Sequence, residues 1–176
     1  MRVALTGTPG TGKSTVAQLV AEEAELEVVP ISKHAEEFSV DYDEDRGVEE
    51  LDVEAMEQEF ADLEDVVFDG HVSHQLSVDH VVVLRCHPEE LGRRLRERGY
   101  SEDKIGENTS SEALDLVTAE AIHRHDEVYE IDTTDRSPEY VAEKVVDALE
   151  SGAVNADVDG ITVDWSDYLE SMGVEG

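Results

Sequence analysis

Eight residues near the start of the chain, Gly7-Thr8-Pro9-Gly10-Thr11-Gly12-Lys13-Ser14, constrain the fold more than any other stretch. They satisfy the spacing G-x-x-x-x-G-K-[ST]. They also lie between a short apolar run, Arg2 to Thr6, and a segment whose Val16, Leu19 and Val20 share one helical face. Strand, glycine-rich loop and helix in that order predict a P-loop. The glycines let successive backbone N–H groups point inward at an anion, and the helix adds the positive end of its dipole. Lys13 is then placed to reach β- and γ-phosphates as a point charge, and Ser14 to offer its hydroxyl to Mg²⁺. Thr15 adds a backbone N–H and its hydroxyl at the α-phosphate. Gly10, Thr11, Gly12, Lys13, Ser14 and Thr15 are therefore the expected ATP-binding residues, with ATP and Mg²⁺ as the ligands.

The remaining apolar runs extend this start into an α/β chain. Leu26 to Val29, Val66 to Asp69, Val81 to Leu84 and Val128 to Ile131 read as further buried strands. Between them, helical spacing recurs at Val53, Met56, Phe60 and Leu63, and at Leu91 and Leu95 after Pro88. A long helix is expected from about Glu112 to Asp126, after a short polar segment from Tyr100 to Thr109. Ser137 and Pro138 mark the N-cap and first position of a last core helix bearing Val141, Val145 and Leu149. Strands alternating with helices predict a P-loop NTPase fold, with a parallel sheet of about five strands and helices on both faces. The stretch from Ile31 to Glu50 is acidic and reads as irregular. After Gly152 the residues are small and acidic as far as Gly176. There Trp165, Tyr168, Leu169 and Met172 form one face of a short terminal helix, which reads either as a docked strap or as a docking peptide for another protein.

Phosphoryl transfer needs a metal-holding acid and cations over the γ-phosphate. Asp69 closes an apolar strand, where such an acid meets the Mg²⁺ shell, so Ser14 and Asp69 are the expected metal ligands. His71, two residues on, can orient water or a phosphate oxygen. Arg94 and Arg98 stand four apart on one helix before a Gly-Tyr turn, which suits a closing lid; Arg98, nearest the turn, is the preferred ATP contact. Arg93 and Arg96 face elsewhere, toward solvent. Arg46, alone in the acidic stretch, is the candidate for holding an acceptor phosphate. Lys13, Asp69, His71 and Arg98 form the expected catalytic set.

Taken together, Gly7 to Thr15, Tyr42-Asp43-Glu44-Asp45-Arg46, Asp69-Gly70-His71, and Arg98-Gly99-Tyr100-Ser101-Glu102-Asp103-Lys104-Ile105 with Glu107-Asn108 resemble the adenylate kinase isoenzyme 6-like family of archaea and eukaryotes. The resemblance covers residues 1 to 150. It implies a nucleoside-monophosphate kinase with ATPase activity and a role in maturing the small ribosomal subunit. AMP would be the acceptor, and a small-subunit ribosomal protein or pre-ribosomal subunit the partner. It further implies a monophosphate-binding insert at 30–52 and a short lid at 97–108; the acidic tail, read from composition, covers 151–176 beyond it. Arg136, in the Asp132 to Pro138 loop, would stack on the adenine. Typical adenylate kinases follow the strand-end Asp with Gly-x-Pro-Arg; here the sequence is Asp69-Gly70-His71-Val72, without the arginine.

Composition narrows the setting. Lys and Arg number 13 against 45 Asp and Glu, for a net charge of −32, and Lys13, Lys33, Lys104 and Lys144 are the only lysines. Recurrent apolar runs argue for a folded chain with an acidic, solvated surface, of the kind carried by proteins of a salt-saturated, halophilic cytoplasm. Nucleic-acid phosphates need clustered cations, and the only cluster, Arg93 to Arg98, is needed at the lid, so no broad nucleic-acid surface is expected. One cysteine, Cys86, excludes an internal disulfide and a CxxC site. No signal peptide fits and no run approaches the roughly 18 apolar residues of a membrane span, so a cytoplasmic protein is expected. Self-repulsion of this size is screened in molar salt, where the Debye length is about 3 Å. The urea midpoint should therefore rise substantially from dilute buffer to molar KCl; equal midpoints would contradict the reading of the surface.

Overall fold

A computed structural model describes residues 1–34, 37–43, 48–151 and 163–173, with the backbone alone for 39–43 and 48–50. The chain runs through β1 (Arg2–Thr6), α1 (Lys13–Ala24), β2 (Glu27–Pro30), β3 (Ser39–Asp43), β4 (Val48–Leu51), α2 (Val53–Glu59) and β5 (Val66–Asp69). It continues through β6 (His80–Arg85), α3 (Pro88–Glu97), α4 (Glu102–Ala113), α5 (Leu116–Arg124), β7 (Val128–Asp132), α6 (Pro138–Ser151) and α7 (Ser166–Ser171). Five strands form one sheet in the order β2-β5-β1-β6-β7, every pair parallel. Strand β1 is central, and the chain winds from it to one side and then the other. The nucleotide loop therefore leaves the sheet at its topological switch point, where α/β folds open a crevice beyond the strand ends.

Alternation along the strands sorts the core into two faces. Val3 and Leu5 of β1, Val67 of β5 and Val82 and Leu84 of β6 pack under α1 and α6 through Val16, Val20, Val141 and Val145. On the opposite face Ala4, Val81 and Val83 meet Ala121 of α5, while Val66 and Phe68 meet Met56 and Phe60. Each of the larger side chains, the valines, leucines, Met56 and phenylalanines, contributes about 1.5–3 kcal/mol on burial. Helix α6 begins as its sequence predicts, with Pro138 first and the Ser137 hydroxyl accepting from the Tyr140 N–H at 3.3 Å. No helix among the described residues is long and apolar enough to cross a membrane.

The structure corrects two expectations. The stretch from Ile31 to Glu50 is not irregular throughout, since β3 and β4 pair antiparallel, Tyr42 opposite Glu49. The alternation of Phe38, Val40 and Tyr42 was the available signal. The long helix from Glu112 to Asp126 is instead two helices. Helix α4 already starts at Glu102, capped by the Ser101 hydroxyl accepting from the Lys104 N–H. Its Asn108, Thr109 and Ser110 are weak helix formers, but Ile105 is buried against Leu91 and Leu95 of α3, and that packing outweighs propensity. The break falls at Asp115, in the left-handed region at φ 55°.

That break serves a buried ion cluster. Arg85, at the end of β6 and 2 % exposed, donates to Glu112 through Nε at 2.8 Å, and pairs with Asp115 and Glu130. Thr118 and the Glu112 carbonyl oxygen accept its other N–H groups at 3.1 Å each. These carboxylates hold the guanidinium protonated, well above its ordinary range, against the opposing effect of burial. Removing the shared cation would strand the buried Glu112 and the largely buried Glu130. Arg85→Met should cost about 3–5 kcal/mol, read as a fall in the urea midpoint in molar salt.

Candidate functional site

The loop between β1 and α1 returns over the sheet edge with Gly7 at φ 138°, Gly10 at 99° and Gly12 at 96°. Gly7 has no alternative, because a Cβ there would stand 2.3 Å from the Leu84 carbonyl oxygen of β6. Gly12 opens α1 in a left-handed conformation without a side-chain cap, so the amides of the first turn keep no partner within the helix. They border a cleft of about 420 Å³ lined by Gly10, Gly12, Lys13, Ser14, Thr15 and Asp69, among others. Unpaired amides and a helix dipole aimed at a cleft bind an anion. A second lobe, about 220 Å³, adjoins it and is lined by Thr11, Val16, Arg94, Thr133, Arg136 and Val141. Gly10, Gly12, Thr15 and Arg98 line both lobes, so the P-loop and Arg98 stand at their junction.

Lys13 lies inside the loop, its ammonium donating to the carbonyl oxygens of Gly7 at 2.7 Å and Thr8 at 3.0 Å. Burial lowers its pKa to about 8 despite Asp69 and Glu112, and Arg98 adds to the lowering. Asp69 is buried at the end of β5, in register with Leu5 of β1, which brings its carboxylate to the loop. Asp69 and Ser14 supply a carboxylate and a hydroxyl to one cleft. That donor set fits Mg²⁺, which takes few protein oxygens and completes its shell with water and phosphate. Among the described residues no group of three or more His, Cys, Asp or Glu forms a cage for a metal.

His71 also lines the cleft. The Thr6 hydroxyl fixes its backbone, lying 3.1 Å from the His71 carbonyl oxygen and 2.9 Å from His74 Nδ1. Desolvation by its surroundings, and then the charge of Lys13, lower the His71 pKa although the residue is partly open to solvent. The ring is thus neutral at neutral pH. Gly70 beside it packs on Ile31, where a Cβ would stand 2.8 Å from the Ile31 Cβ. The turn that follows Ile31 carries Ser32 to the opposite wall.

Of the arginines, Arg98 ends α3, is exposed toward both lobes, and forms no salt bridge among the described residues. Arg94 bonds Glu90 at 2.8 Å and the Thr133 carbonyl oxygen at 3.0 Å, which ties α3 to the loop after β7. Arg93 pairs with Glu90 and Glu97, and Arg96 with Glu102, all on the surface as their spacing suggests. Arg136 lies over the Tyr140 ring at 5.0 Å, on the wall of the smaller lobe. Arg46 lies outside the described residues.

Comparison with known proteins fits this geometry. The AAA domain family model matches residues 3–115. A protein of Pyrococcus abyssi named "Putative adenylate kinase" is 46% identical over 98% of this chain and 95% of its own. One of that name from Halobacterium salinarum is 43% identical over 96% of this chain and 100% of its own. The chain belongs to the archaeal family whose members carry that name. Among solved structures, the shikimate kinase of Acinetobacter baumannii superposes with a TM-score of 0.62 at 17% identity, covering 88% of this chain and 95% of that one. The deoxyadenosine kinase of M. mycoides gives 0.59 at 17%, covering 87% and 100%. These two likenesses speak for the fold.

Within this family frame, the structure brings Lys13, Ser14, Asp69, His71 and Arg98 to one cleft, as the motifs suggest. Ser32 and Tyr100 line the same cleft, Thr8 lies within the loop, and Arg85 and Glu112 stand behind it; none of these five is a site residue expected from the sequence. Thr8 had a signal in its place within the glycine-rich motif and Tyr100 in its place beside Arg98, but Ser32, Arg85 and Glu112 had none that stands out in one sequence.

The depressed pKa of Lys13 gives a pH signature. Phosphate beside the ammonium favours its charged form, so the pKa rises on binding. Below pH about 8 the lysine is protonated in both states and affinity is flat; above it, binding must take up a proton. Mg·ATP affinity should therefore weaken up to about tenfold per pH unit above 8. Calorimetry at pH 9 in buffers of different ionisation enthalpy should register proton uptake.

Proposed function

We propose that the protein is a nucleoside-monophosphate kinase that transfers the γ-phosphoryl group of ATP to AMP, so that ATP + AMP gives 2 ADP, and hydrolyses ATP slowly at the same site. The observation that carries this reading is the pair of lobes joined at the P-loop and Arg98. In this reading the smaller lobe takes the adenine of ATP, with Arg136 and Val141 against the base. The larger takes the γ-phosphate and the acceptor, the latter between Ser32 and Tyr100. Residues 30–52 serve as the acceptor insert, with Arg46 on the acceptor phosphate, and 97–108 as the lid.

The chemistry asks little covalent work of the side chains. An oxygen of the acceptor phosphate attacks Pγ, the new O–P bond forms, and the bond to the β-phosphate oxygen breaks. A monophosphate is largely a dianion at neutral pH, its second pKa being about 6, so no base is required. Gly10, Thr11 and Gly12 cradle the phosphates with their amides, Thr15 holds the α-phosphate, and Lys13 and Arg98 neutralise charge that gathers on the transferring group. Ser14 and Asp69 would hold Mg²⁺, which would supply further positive charge to the triphosphate. A neutral His71 orients a phosphate oxygen or, when the acceptor is absent, a water.

One feature favours a second reading. The Gly-x-Pro-Arg arginine of typical adenylate kinases is absent after Asp69, and a neutral histidine stands in the stretch instead. That exchange suits a hydrolytic switch, the ATP-driven maturation of the small ribosomal subunit in the cytoplasm that the resemblance implies. Turnover in molar salt separates the two. The kinase reading expects two ADP per ATP consumed, and only with AMP present; phosphate release indifferent to AMP would overturn it in favour of hydrolysis. Lys13→Ala should lower kcat/KM by about 10²–10³-fold in either case. Asp69→Asn should bind ATP within several-fold of native yet turn over roughly a hundredfold slower.

A further inference from the structure

Glu112 is a carboxylate that the chemistry above does not use, yet it is among the most enclosed charges in the molecule, 2 % exposed. One of its oxygens, Oε1, accepts from three donors: Arg85 Nε at 2.8 Å, the Cys86 backbone N–H at 3.1 Å and Trp165 Nε1 at 3.2 Å. The other, Oε2, accepts from the Thr8 hydroxyl at 2.6 Å. Thr8 lies inside the nucleotide loop and is itself 1 % exposed. Its carbonyl oxygen in turn accepts from the Thr11 N–H at 3.3 Å, the Thr11 hydroxyl at 3.0 Å and the Lys13 ammonium at 3.0 Å. The carboxylate thus grips one end of a residue whose other end closes the loop and holds the lysine.

We propose that Glu112 is the positioning residue of the nucleotide loop, acting through Thr8, and that Trp165 of the C-terminal segment completes its hold. The inference rests on the reading of residues 7–14 as the ATP-binding loop. Three donors on Oε1 leave the carboxylate no freedom to turn, so Oε2 is a fixed point against which Thr8 is set. A charge-assisted bond of this kind is about twice as strong as a neutral one. Glu112 is also the penultimate residue of α4, whose first turn follows Arg98, Gly99 and Tyr100 at the cleft mouth. The helix is therefore pinned to the loop at its end, as its first turn is to α3 through Ile105 and Glu102.

Trp165 ties the C-terminal segment into the same assembly. Besides its bond to Glu112, its ring meets the His87 ring edge-on at 5.1 Å, and Tyr168 meets the same ring at 5.8 Å. The His87 backbone N–H bonds the Thr134 hydroxyl at 2.7 Å, in the loop that borders the smaller lobe. Residues 163–173 thereby touch supports of both the phosphate and the base side of the site.

Thr8→Ser keeps the hydroxyl and Thr8→Val removes it at nearly constant volume. Thr8→Ser should stay within about twofold of the native protein. Thr8→Val should raise KM and Kd for ATP about tenfold or more, with KM for AMP unchanged. A merely structural role would reduce the folded fraction, and so the apparent kcat, without moving KM. Adding Glu112→Gln to Thr8→Val should cost nothing further in Kd, because the shared bond is already gone. Titration with Mg·ATP should change the emission of Trp165, the only tryptophan, in the native protein and Thr8→Ser but not in Thr8→Val. A Kd for Thr8→Val within twofold of native, or additive losses in the double variant, overturns the proposal alone. Failure of the native protein to bind Mg·ATP in the same titration overturns the loop reading and this inference with it.

Discussion

The first-turn amides of α1 have no partner in the helix and no side-chain cap, and the backbone that presents them is bent through three positive-φ glycines. Such a loop is poorly determined by itself, since glycine surrenders more conformational freedom than any other residue. Everything around it supplies the missing constraint. The Leu84 backbone of β6 presses on Gly7 so closely that no side chain fits, and the side-chain ends of Leu91 and Leu95 of α3 pack closely on Gly10. Thr6 below and Thr8 within are tied to His74 and Glu112. The loop is shaped from outside, and the anion-binding amides are a consequence of that shaping.

Charge is organised by the same logic. In a chain so short of cations, four of them stand where an anion must be held or where elements and carboxylates must be gathered. Lys13 and Arg98 face the cleft, Arg94 joins α3 to the base-side loop, and Arg85 collects Glu112, Asp115 and Glu130 behind it. Burying Arg85 is costly by itself. Its return is geometric: a charge that must satisfy three carboxylates from α4, the α4–α5 break and β7 fixes those elements relative to β6.

The nucleotide loop, the order of strands and helices and the charged cleft were legible because each rests on local pattern. Gly7 to Ser14 carries its own spacing, β5 and β6 are continuous apolar runs, and Ser137-Pro138 announces α6. What escaped depends on contacts made across the fold. Residues 102–113 are poor in helix formers, and only Ile105 against Leu91 and Leu95 shows why they coil. Glu112 is one acid among 45, and nothing in its neighbours marks it as buried. Arg85 likewise ends an apolar strand, where an arginine reads as the exposed terminus. A partner 27 residues away inverts that reading.

Placement of these charges also bears on how a phosphate site works beneath so acidic a surface. In the molar salt that screens −32 charges, exposed pairs such as Arg96–Glu102, or Arg93 with Glu90 and Glu97, contribute little, because their groups stay hydrated and holding two long side chains together costs entropy. A site that drew its phosphate by surface lysines would lose its attraction under the same conditions. Backbone amides and a desolvated ammonium act at hydrogen-bond distance, inside the screening length, and depend on no diffuse field. The ion cluster behind the loop is shielded for the same reason, since no salt enters where Arg85, Glu112 and Thr8 are at most 2 % exposed. An acidic exterior and an anion-binding centre are thus compatible, provided that the centre is built from contacts and not from net charge.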